Sequence, residues 1–203
     1  MDYTLLFYLT VTYLITSIPF GYIVGKIFGK DVTKEGSGNI GATNVARTIG
    51  KKAGILVLIL DALKGYIPVY YAYDYFFYDT RAVMLVAIVA ILGHCFSIFM
   101  KFKGGKGVAT GFGVLLALSP QTALIVFLFW LGVFLVSGYV SLASIMASSI
   151  SWVILFYIEK DIYLALGAFI VSLIIIIKHS SNIERLIKGT ENRFLYKAKI
   201  KED

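Results

Sequence analysis

One stretch of the chain restricts the folds it can adopt: from Gly107 to Ile158, 52 consecutive residues include no Asp, Glu, Lys, Arg or His. A helix that crosses a bilayer needs about 20 mostly apolar residues, so this stretch holds two or three crossings. The whole chain is 59% hydrophobic and 15% charged, with a mean hydropathy of +0.83. A soluble domain of this size needs far more polar surface. The sequence therefore predicts an all-α, polytopic membrane protein.

The charged residues lie in five gaps between apolar segments, and their signs predict an orientation. The gaps Lys26–Lys52, Lys101–Lys106 and Lys178 onward hold 16 of the 19 Lys and Arg residues. By the positive-inside rule these three gaps are cytoplasmic, which puts the N-terminus outside and the C-terminus in the cytoplasm. In a soluble protein the net charge of +7 would suggest a nucleic-acid partner. Here topology explains it, and no nucleic acid is expected.

Parity gives the number of crossings. The third and fifth gaps lie on the same side, and Ile162–Ile177 supplies one crossing between them, so an odd number must lie within 107–158. That number is three, because the stretch is too long for one. Turn-forming clusters at 119–121 and 137–139 mark the breaks.

Seven transmembrane helices follow in total. The four outside the uncharged stretch are predicted at Tyr3–Phe28, Gly54–Phe77, Ala82–Met100 and Ile162–Ile177. The segment Val108–Leu118 is too short to span alone, so it is expected to continue into earlier residues or to pack inside the bundle. No signal-peptide cleavage site follows the first helix, which is expected to be retained. No repeat or second domain is evident, so residues 1–203 form one predicted domain.

Two charges interrupt the apolar pattern of the second predicted helix. Asp61 and Lys64 are three residues apart and therefore share a face. A charge at a helix centre costs roughly 2.5–3.5 kcal/mol on insertion scales, so the pair is expected to face the bundle interior. A structural ion pair and a support for active-site loops are both open interpretations. Cys95, the lone cysteine, allows no internal disulfide and is expected to serve in packing.

The first cytoplasmic gap carries a glycine-rich, polar segment. Its glycines satisfy G-x-G-x-x-G, but no strand precedes them, so a dinucleotide site is rejected. Glycines still free backbone N–H groups to face an anion, and a helix start adds a positive dipole end. The predicted cap of that helix is Thr43 or Asn44, with Arg47 one turn in. The residues predicted for this anion site are Ser37, Gly38, Asn39, Gly41, Thr43, Asn44 and Arg47. A flexible loop, the alternative, explains the glycines but not the polar cluster.

The second cytoplasmic gap is a cationic turn around a Gly-Gly pair. A nucleotide P-loop is rejected, because Met100 stands where the first glycine of G-x-x-x-x-G-K-[ST] belongs. The residues predicted to bind substrate here are Lys101, Lys103, Gly104, Gly105, Lys106 and Gly107. For Lys101 and Lys103 a positive-inside anchor is the alternative. Lys106, between two glycines, is expected to approach a phosphate closely.

The third cytoplasmic gap begins directly after the last predicted crossing. His179, Asn182 and Arg185 recur every three residues and so share roughly one helix face. The opposite face is an apolar stripe, and an interfacial anchor helix is the alternative interpretation. Two anion-friendly loops and one polar helix face thus converge on the cytoplasmic membrane surface. Such a site suits an enzyme that joins a water-soluble phosphate to a lipidic partner.

These three segments, in this order, resemble the bacterial acyl-phosphate-dependent glycerol-3-phosphate acyltransferase family. The stretches that carry the resemblance are Ser37–Asn44, His94–Gly107, His179–Ile183 and Gly189–Glu191. The resemblance covers nearly the whole chain, including its length and the count of seven helices. One departure is Ser97, which stands where the family usually has Pro. It falls on the helix side of the motif and is not expected to touch the chemistry.

The resemblance implies transfer of an acyl group from acyl-phosphate to the 1-hydroxyl of glycerol-3-phosphate, giving lysophosphatidate and inorganic phosphate. This is the first step of phospholipid synthesis. It implies a multi-pass protein of the bacterial inner (plasma) membrane, surrounded by membrane lipids, with its active site facing the cytoplasm. No cofactor, metal or obligate protein partner is expected. Two histidines and one cysteine leave no cluster at metal-ligand spacing.

Roles follow from the chemistry of each residue type. Lys106 and Arg47 are expected to hold phosphate charge, Arg by a bidentate fork. Ser37 and Asn39, with backbone amides of the glycine loop, are expected to fix the phosphate and the developing oxyanion. Asn182 would then orient the glycerol phosphate.

The sequence leaves the proton acceptor open. His179 is a candidate general base, and a phosphate of the substrate is the alternative acceptor. Because acyl-phosphate is already activated, we expect direct attack by the hydroxyl without an acyl-enzyme. The H-x-x-x-x-D motif of other acyltransferases is not present in this sequence. Glu184 stands five residues after His179, where the motif has Asp, so that class stays open. For His94, a satisfied structural role and a functional role both stay open.

Two other functional classes compete with an acyltransferase. A transporter of a phosphorylated solute would suit seven helices, but it would favour a midplane site and internal repeats. A lipid-phosphate phosphatase would want a His pair with Arg-rich surroundings, which His94 and His179 lack.

Overall fold

The computed structural model describes residues 3–194, all of them helical or in connecting turns, with no strand in that range. Ten α-helices are α1 Tyr3–Ser17, α2 Phe20–Ile27, α3 Ala42–Thr48, α4 Lys51–Tyr75, α5 Thr80–Cys95, α6 Val108–Leu118, α7 Pro120–Ser137, α8 Val140–Glu159, α9 Ile162–Lys178 and α10 Ser180–Ile187. A single 3-10 turn, Ile98–Met100, follows α5. Three basic residues counted in the C-terminal gap, Lys197, Lys199 and Lys201, lie outside the described residues.

Long apolar helices dominate the described part of the chain. Five stretches can cross a membrane by length and composition, namely Tyr3–Ile27, Lys51–Tyr75, Thr80–Met100, Pro120–Ser137 and Val140–Glu159. A sixth is added if α9 and α10, which meet at a bend of 58°, are counted as one. The 11 residues of α6 are too few. The all-helical membrane architecture is confirmed, whereas seven crossings and the orientation of the termini stay predictions.

Local sequence explains most helix boundaries. The hydroxyl of Ser119 accepts a hydrogen bond from the Thr122 amide and caps α7, which begins with Pro120. At the other end of α7, Gly138 takes the left-handed conformation with φ of 75°. Both predicted breaks are therefore confirmed. The first predicted helix is interrupted, because Pro19 cannot supply an amide hydrogen bond and separates α1 from α2.

The short helix α6 begins at Val108 and packs within the bundle, which is one of the two alternatives that its length left open. It packs against α4, α5, α7 and α9. A Cβ atom on Gly113 would lie 1.9 Å from the carbonyl oxygen of Ala62, so the α4 and α6 backbones touch directly. Small residues that allow such close approach are typical of helix interfaces in lipid. Towards the membrane, large apolar side chains such as Leu128 are about half exposed on the protein surface.

A buried ion pair joins α4 to the break between α1 and α2. Lys64 Nζ lies 2.8 Å from Asp61 Oδ1, and each side chain is only 3% exposed. The same ammonium donates a hydrogen bond to the carbonyl oxygen of Ile18 at 2.8 Å. Ile18 directly precedes Pro19, so this bond satisfies a carbonyl group at the break between the two helices. The predicted inward-facing pair is confirmed.

Removing one member of this pair should be more harmful than removing both. We expect Asp61→Ala to destabilise the protein by about 3–5 kcal/mol, because it leaves a buried ammonium without its counter-charge. Asp61→Ala/Lys64→Met should cost clearly less. Denaturation in detergent measures both. Glu184→Ala is the control, since the side chains of the Glu184–Lys188 pair are 64% exposed and such pairs contribute about 0–1 kcal/mol. A double variant as unstable as the single one would contradict this account.

Candidate functional site

A cavity of about 530 Å³ lies among α3, the first halves of α4 and α6, the α7–α8 turn and α10. Ten residues that the sequence predicted for the site line it: Ser37, Asn39, Gly41, Thr43, Asn44, Arg47, Lys106, Gly107, His179 and Asn182. Three separate segments thus meet at one chamber. The other predicted residues, which do not line it, are Gly38, Lys101, Lys103, Gly104 and Gly105.

The first loop enters the site through α3. The N-cap of this helix is Gly41, and no side chain caps it, so the predicted cap at Thr43 or Asn44 is wrong. The turn before the helix is instead made by Asn39, whose Oδ1 accepts from the Gly41 amide at 2.8 Å. Because the helix begins at Ala42, Arg47 lies in its last turn rather than one turn in, and its side chain lines the cavity.

The Asn44 side chain, 2% exposed, holds the first loop together. Its Oδ1 accepts from the Ser37 amide at 2.8 Å, and its Nδ2 donates to the carbonyls of Val32 and Glu35 at 3.0 Å each. All these groups belong to irregular backbone that has no helical partners. Asn44 therefore determines where Ser37 lies, and its own polar atoms are already used.

The second loop brings one lysine to the cavity and leaves two outside. Lys101 and Lys103 are exposed on the turn after α5, which fits the alternative of a membrane-surface anchor. Lys106 is half-buried and donates a hydrogen bond to Asn182 Oδ1. Gly107, in the left-handed conformation with φ of 83°, lets the chain turn directly from Lys106 into α6.

The carboxylate of Glu191 connects the residues of the third segment through hydrogen bonds. Glu191 Oε1 accepts from Asn182 Nδ2 at 2.7 Å and from the Ser141 hydroxyl at 2.8 Å. Its Oε2 accepts from Arg185 Nε at 2.7 Å. Burial alone would raise the pKa of Glu191, but these three donors outweigh it and the pKa is lowered. Three residues further on, the Phe194 amide donates to the carbonyl of Gly138 and ties this segment to the α7–α8 turn.

The cavity is electropositive. Burial lowers the pKa of Lys106 to about 8, and the Glu191 carboxylate opposes that shift. The cations that act in the same direction as burial are Arg47, Lys178 and Arg185. An anion that entered the cavity would meet Lys106 and the guanidinium groups of Arg47 and Arg185, which also line it. The negative charge of that anion would stabilise the protonated lysine.

His179 has one ring nitrogen that is free to accept a proton. It is 3% exposed and lies just beyond the end of α9. Its Nδ1 lies 2.8 Å from the carbonyl oxygen of Ile175, which can only accept, so Nδ1 carries the hydrogen and Nε2 has the free lone pair. Burial chiefly, and the Lys106 cation in addition, lower the pKa of His179 to about 4. The ring is therefore neutral at pH 7 and able to accept a proton.

Several cavity residues were not among the predicted site. Glu191 and Arg185 had a signal, in the Gly-Thr-Glu stretch and in the three-residue spacing after His179. Ser141 had none, because it begins an apolar helix. Asp61 and His94 also line the cavity. Among residues 3–194, no group of three or more His, Cys, Asp or Glu side chains is placed to hold a metal ion.

A second cavity, of about 350 Å³, opens from the same region into the bundle and is almost entirely apolar. The residues that line both cavities are Leu58, Val108, Ala109, Trp130 and Ser144. From there the second cavity extends along α6 to Leu118, a distance of about 15 Å at the rise of an α-helix. A cationic chamber and an apolar channel therefore share one wall.

The comparisons with known proteins agree over most of the chain. The family model for glycerol-3-phosphate acyltransferase matches residues 6–189. The glycerol-3-phosphate acyltransferase of Aquifex aeolicus is 46% identical over 189 residues, covering 93% of this chain and 98% of its own length. That of Trichlorobacter lovleyi is 46% identical over 192 residues, covering 93% and 97%.

Solved structures match equally well. The crystal structure of PlsY (YgiH), an integral membrane glycerol 3-phosphate acyltransferase, in its glycerol 3-phosphate form has a TM-score of 0.91 at 45% identity, covering 94% of this chain and 96% of that one. Its lysophosphatidic acid form gives 0.89 at the same identity. A family match of this extent, on a helical bundle with a cationic cavity, shows that the chain belongs to the glycerol-3-phosphate acyltransferase family of integral membrane enzymes.

Proposed function

We propose that the enzyme transfers an acyl group from acyl-phosphate to the 1-hydroxyl of glycerol-3-phosphate, releasing lysophosphatidate and inorganic phosphate. The observation that carries this proposal is the contact between a cationic chamber and an apolar channel. A phosphorylated polyol and a fatty acyl chain need those two environments, and they must meet where the ester forms.

The acceptor phosphate is assigned to the cationic chamber. Arg47 and Lys106 supply charge, and Arg presents two parallel N–H groups to phosphate oxygens. Ser37 and Asn39 line the same cavity and would add hydrogen bonds. Asn182 already accepts from Lys106, so it orients the ammonium as well as the substrate. PlsY has been crystallised in a glycerol 3-phosphate form, which supports an acceptor site of this kind.

The acyl chain of the donor is assigned to the apolar channel. Buried side chains of α6, α8 and α9, such as Val114, Ala147 and Ala168, line it. Removing apolar chain from water gives roughly 0.8 kcal/mol per buried CH₂ group. The reactive carbonyl would then sit at the shared wall, with its phosphate facing the cationic chamber.

Direct attack by the hydroxyl is the mechanism that fits these groups. The oxygen of the acceptor forms a bond to the acyl carbon, the bond from that carbon to the phosphate oxygen breaks, and phosphate leaves with the electron pair. The hydroxyl proton passes to His179 Nε2 or to the phosphate of the donor. Cys95 is fully buried and lines neither cavity, which argues against a cysteine acyl-enzyme.

The H-x-x-x-x-D class of acyltransferase loses support in this fold. Glu184, five residues after His179, points into solvent and pairs with Lys188 at 2.6 Å. It does not line the cavity. A carboxylate there cannot orient the His179 ring, whose Nδ1 already has the Ile175 carbonyl.

The membrane placement extends the same proposal. Seven crossings with the N-terminus outside would put α3, Lys106 and α10 on the cytoplasmic side of the bacterial inner membrane. The support is the confinement of 16 of 19 basic residues to three gaps. All three gaps contribute residues to the cavity.

Donor choice tests the proposal most directly. Purified protein in detergent would receive palmitoyl-phosphate or palmitoyl-CoA with glycerol-3-phosphate, and both lysophosphatidate and phosphate release would be followed. We expect turnover with acyl-phosphate, with one phosphate released per lysophosphatidate formed. Turnover with acyl-CoA alone would discard the proposed donor while leaving an acyltransferase.

Replacement of His179 separates the two proton acceptors. If Nε2 is the general base, His179→Gln should lower kcat by about 10²–10⁴-fold with little change in the Michaelis constant for glycerol-3-phosphate. A loss well below about 10²-fold would assign the proton to the phosphate of the donor. A melting temperature like that of the wild type is the control for folding.

The titration of Lys106 predicts a pH dependence. Its pKa of about 8 means that the free enzyme loses this cation as pH rises through 8, whereas bound phosphate keeps the lysine protonated. The Michaelis constant for glycerol-3-phosphate should therefore rise above pH 8 by up to about 10-fold per pH unit, while kcat at saturation stays level. Lys106→Met should have a high Michaelis constant that does not change between pH 7 and 9.5. A wild-type constant that is flat over this range would contradict the assignment.

A further inference from the structure

His94, in the last turn of α5, is buried, but its hydrogen-bonding capacity is not fully used. Its ring is 4% exposed, and its Nδ1 has no hydrogen-bond partner among the described residues. Asp61 Oδ1 lies 3.7 Å from this nitrogen, beyond hydrogen-bond distance. Leaving a polar atom unpaired in a protein interior carries an uncompensated desolvation cost. Filling the space with an apolar residue would avoid that cost, so the imidazole needs another explanation.

The ring lies directly beneath the loop that carries Lys106. The amide of Gly105 donates to the carbonyl of His94, and the amide of Gly104 donates to that of Cys95, both at 3.2 Å. A Cβ atom on Gly105 would lie 2.3 Å from His94 Nε2, and its other close neighbours are also atoms of that ring. The imidazole is therefore the surface on which Gly105 rests, one residue before Lys106.

The ring is itself held from the other side. Asp61 lies opposite Nδ1 and is fixed by Lys64, which also binds the Ile18 carbonyl. Three buried side chains from two helices thus connect the α1–α2 break to the Gly104–Gly105 turn. Such a connection leaves the turn little freedom to move inwards.

We propose that His94 is a positioning residue: its ring, backed by Asp61 and Lys64, sets the height of the Gly104–Gly105 turn and so fixes where the Lys106 ammonium meets the substrate phosphate. This rests on the proposed role of Lys106 as a phosphate ligand. A displacement of about 1 Å at a binding group can cost 10²-fold in catalytic efficiency, so a supporting ring can matter as much as a contact.

His94→Ala tests the proposal through binding. We expect kcat/KM for glycerol-3-phosphate to fall about 10²-fold, mainly through KM. The pH above which KM rises should also move upward from about 8, because a looser turn admits water to Lys106 and relieves its desolvation. A purely structural role would give fewer active molecules, with a lower kcat and unchanged KM and pH profile, and would overturn the proposal.

A coupling experiment removes the ambiguity of a single variant. Gly105→Ala should raise KM because its methyl group meets the His94 ring, and His94→Ala/Gly105→Ala should be no worse than His94→Ala alone. Gly104→Ala is the matched control: its Cβ would lie 2.0 Å from the His94 carbonyl oxygen, which truncation of the ring leaves in place. Its effect should therefore multiply with that of His94→Ala. Multiplicative effects at Gly105 as well would overturn the proposal.

Two further variants keep the outcomes distinct. If His94→Ala does not fold, His94→Asn serves in both tests, since its shorter side chain also withdraws from Gly105. Lys106→Met is measured alongside. A raised KM in Lys106→Met with a normal KM in His94→Ala would reject the positioning role and leave the proposed function intact. A normal KM in Lys106→Met would reject the phosphate-ligand role and the positioning role with it.

Discussion

The hydrogen bonds to the Glu191 carboxylate hold the site together. They bring Ser141 at the start of α8 and two residues of α10, Asn182 and Arg185, to one point. Through Asn182 they reach Lys106. Each of these groups would be costly to bury alone, and together they form a charge-compensated network. The compensation is incomplete at Lys106: burial, together with neighbouring cations, outweighs the Glu191 carboxylate and lowers the pKa of this lysine to about 8. A bound phosphate would stabilise its protonated form.

The membrane determines where such a network can exist. Within the hydrocarbon core every backbone group must find a partner inside its own helix, so irregular backbone is restricted to the surface or to protein interior. In the two glycine loops, backbone groups that have no helical partner form hydrogen bonds with a side chain or with carbonyl groups at a helix end. Asn44 satisfies three backbone groups of the first loop, and carbonyls at the end of α5 satisfy the second. These backbone groups of the two loops are therefore paired although neither loop is helical.

Features that depend on neighbouring residues could be predicted from the sequence. The uncharged run, Ser119-Pro120 and Gly138 each act through local chemistry, and the three-residue spacing after His179 needs only a helix. Features that depend on distant residues could not. Asn44 can stabilise the first loop only because the backbone groups of Val32 and Ser37 come within hydrogen-bond distance of its side chain. His94 lies under Gly105 only because the turn after α5 folds back onto the end of that helix. Neither the spacing of apolar residues nor the composition of the chain indicates such contacts.

The shared wall between the two cavities has a consequence for the chemistry. Trp130 and Ser144, which face both cavities, are joined by a hydrogen bond of 3.1 Å from the indole to the hydroxyl. This satisfies their polar atoms and presents apolar surface at the junction. Under the proposed reaction, water that entered the cationic chamber with glycerol-3-phosphate would find few hydrogen-bond partners at this junction, where the acyl carbonyl meets the hydroxyl. If the donor is the proposed acyl-phosphate, its hydrolysis is disfavoured where acyl transfer is favoured, and this selectivity requires no covalent intermediate.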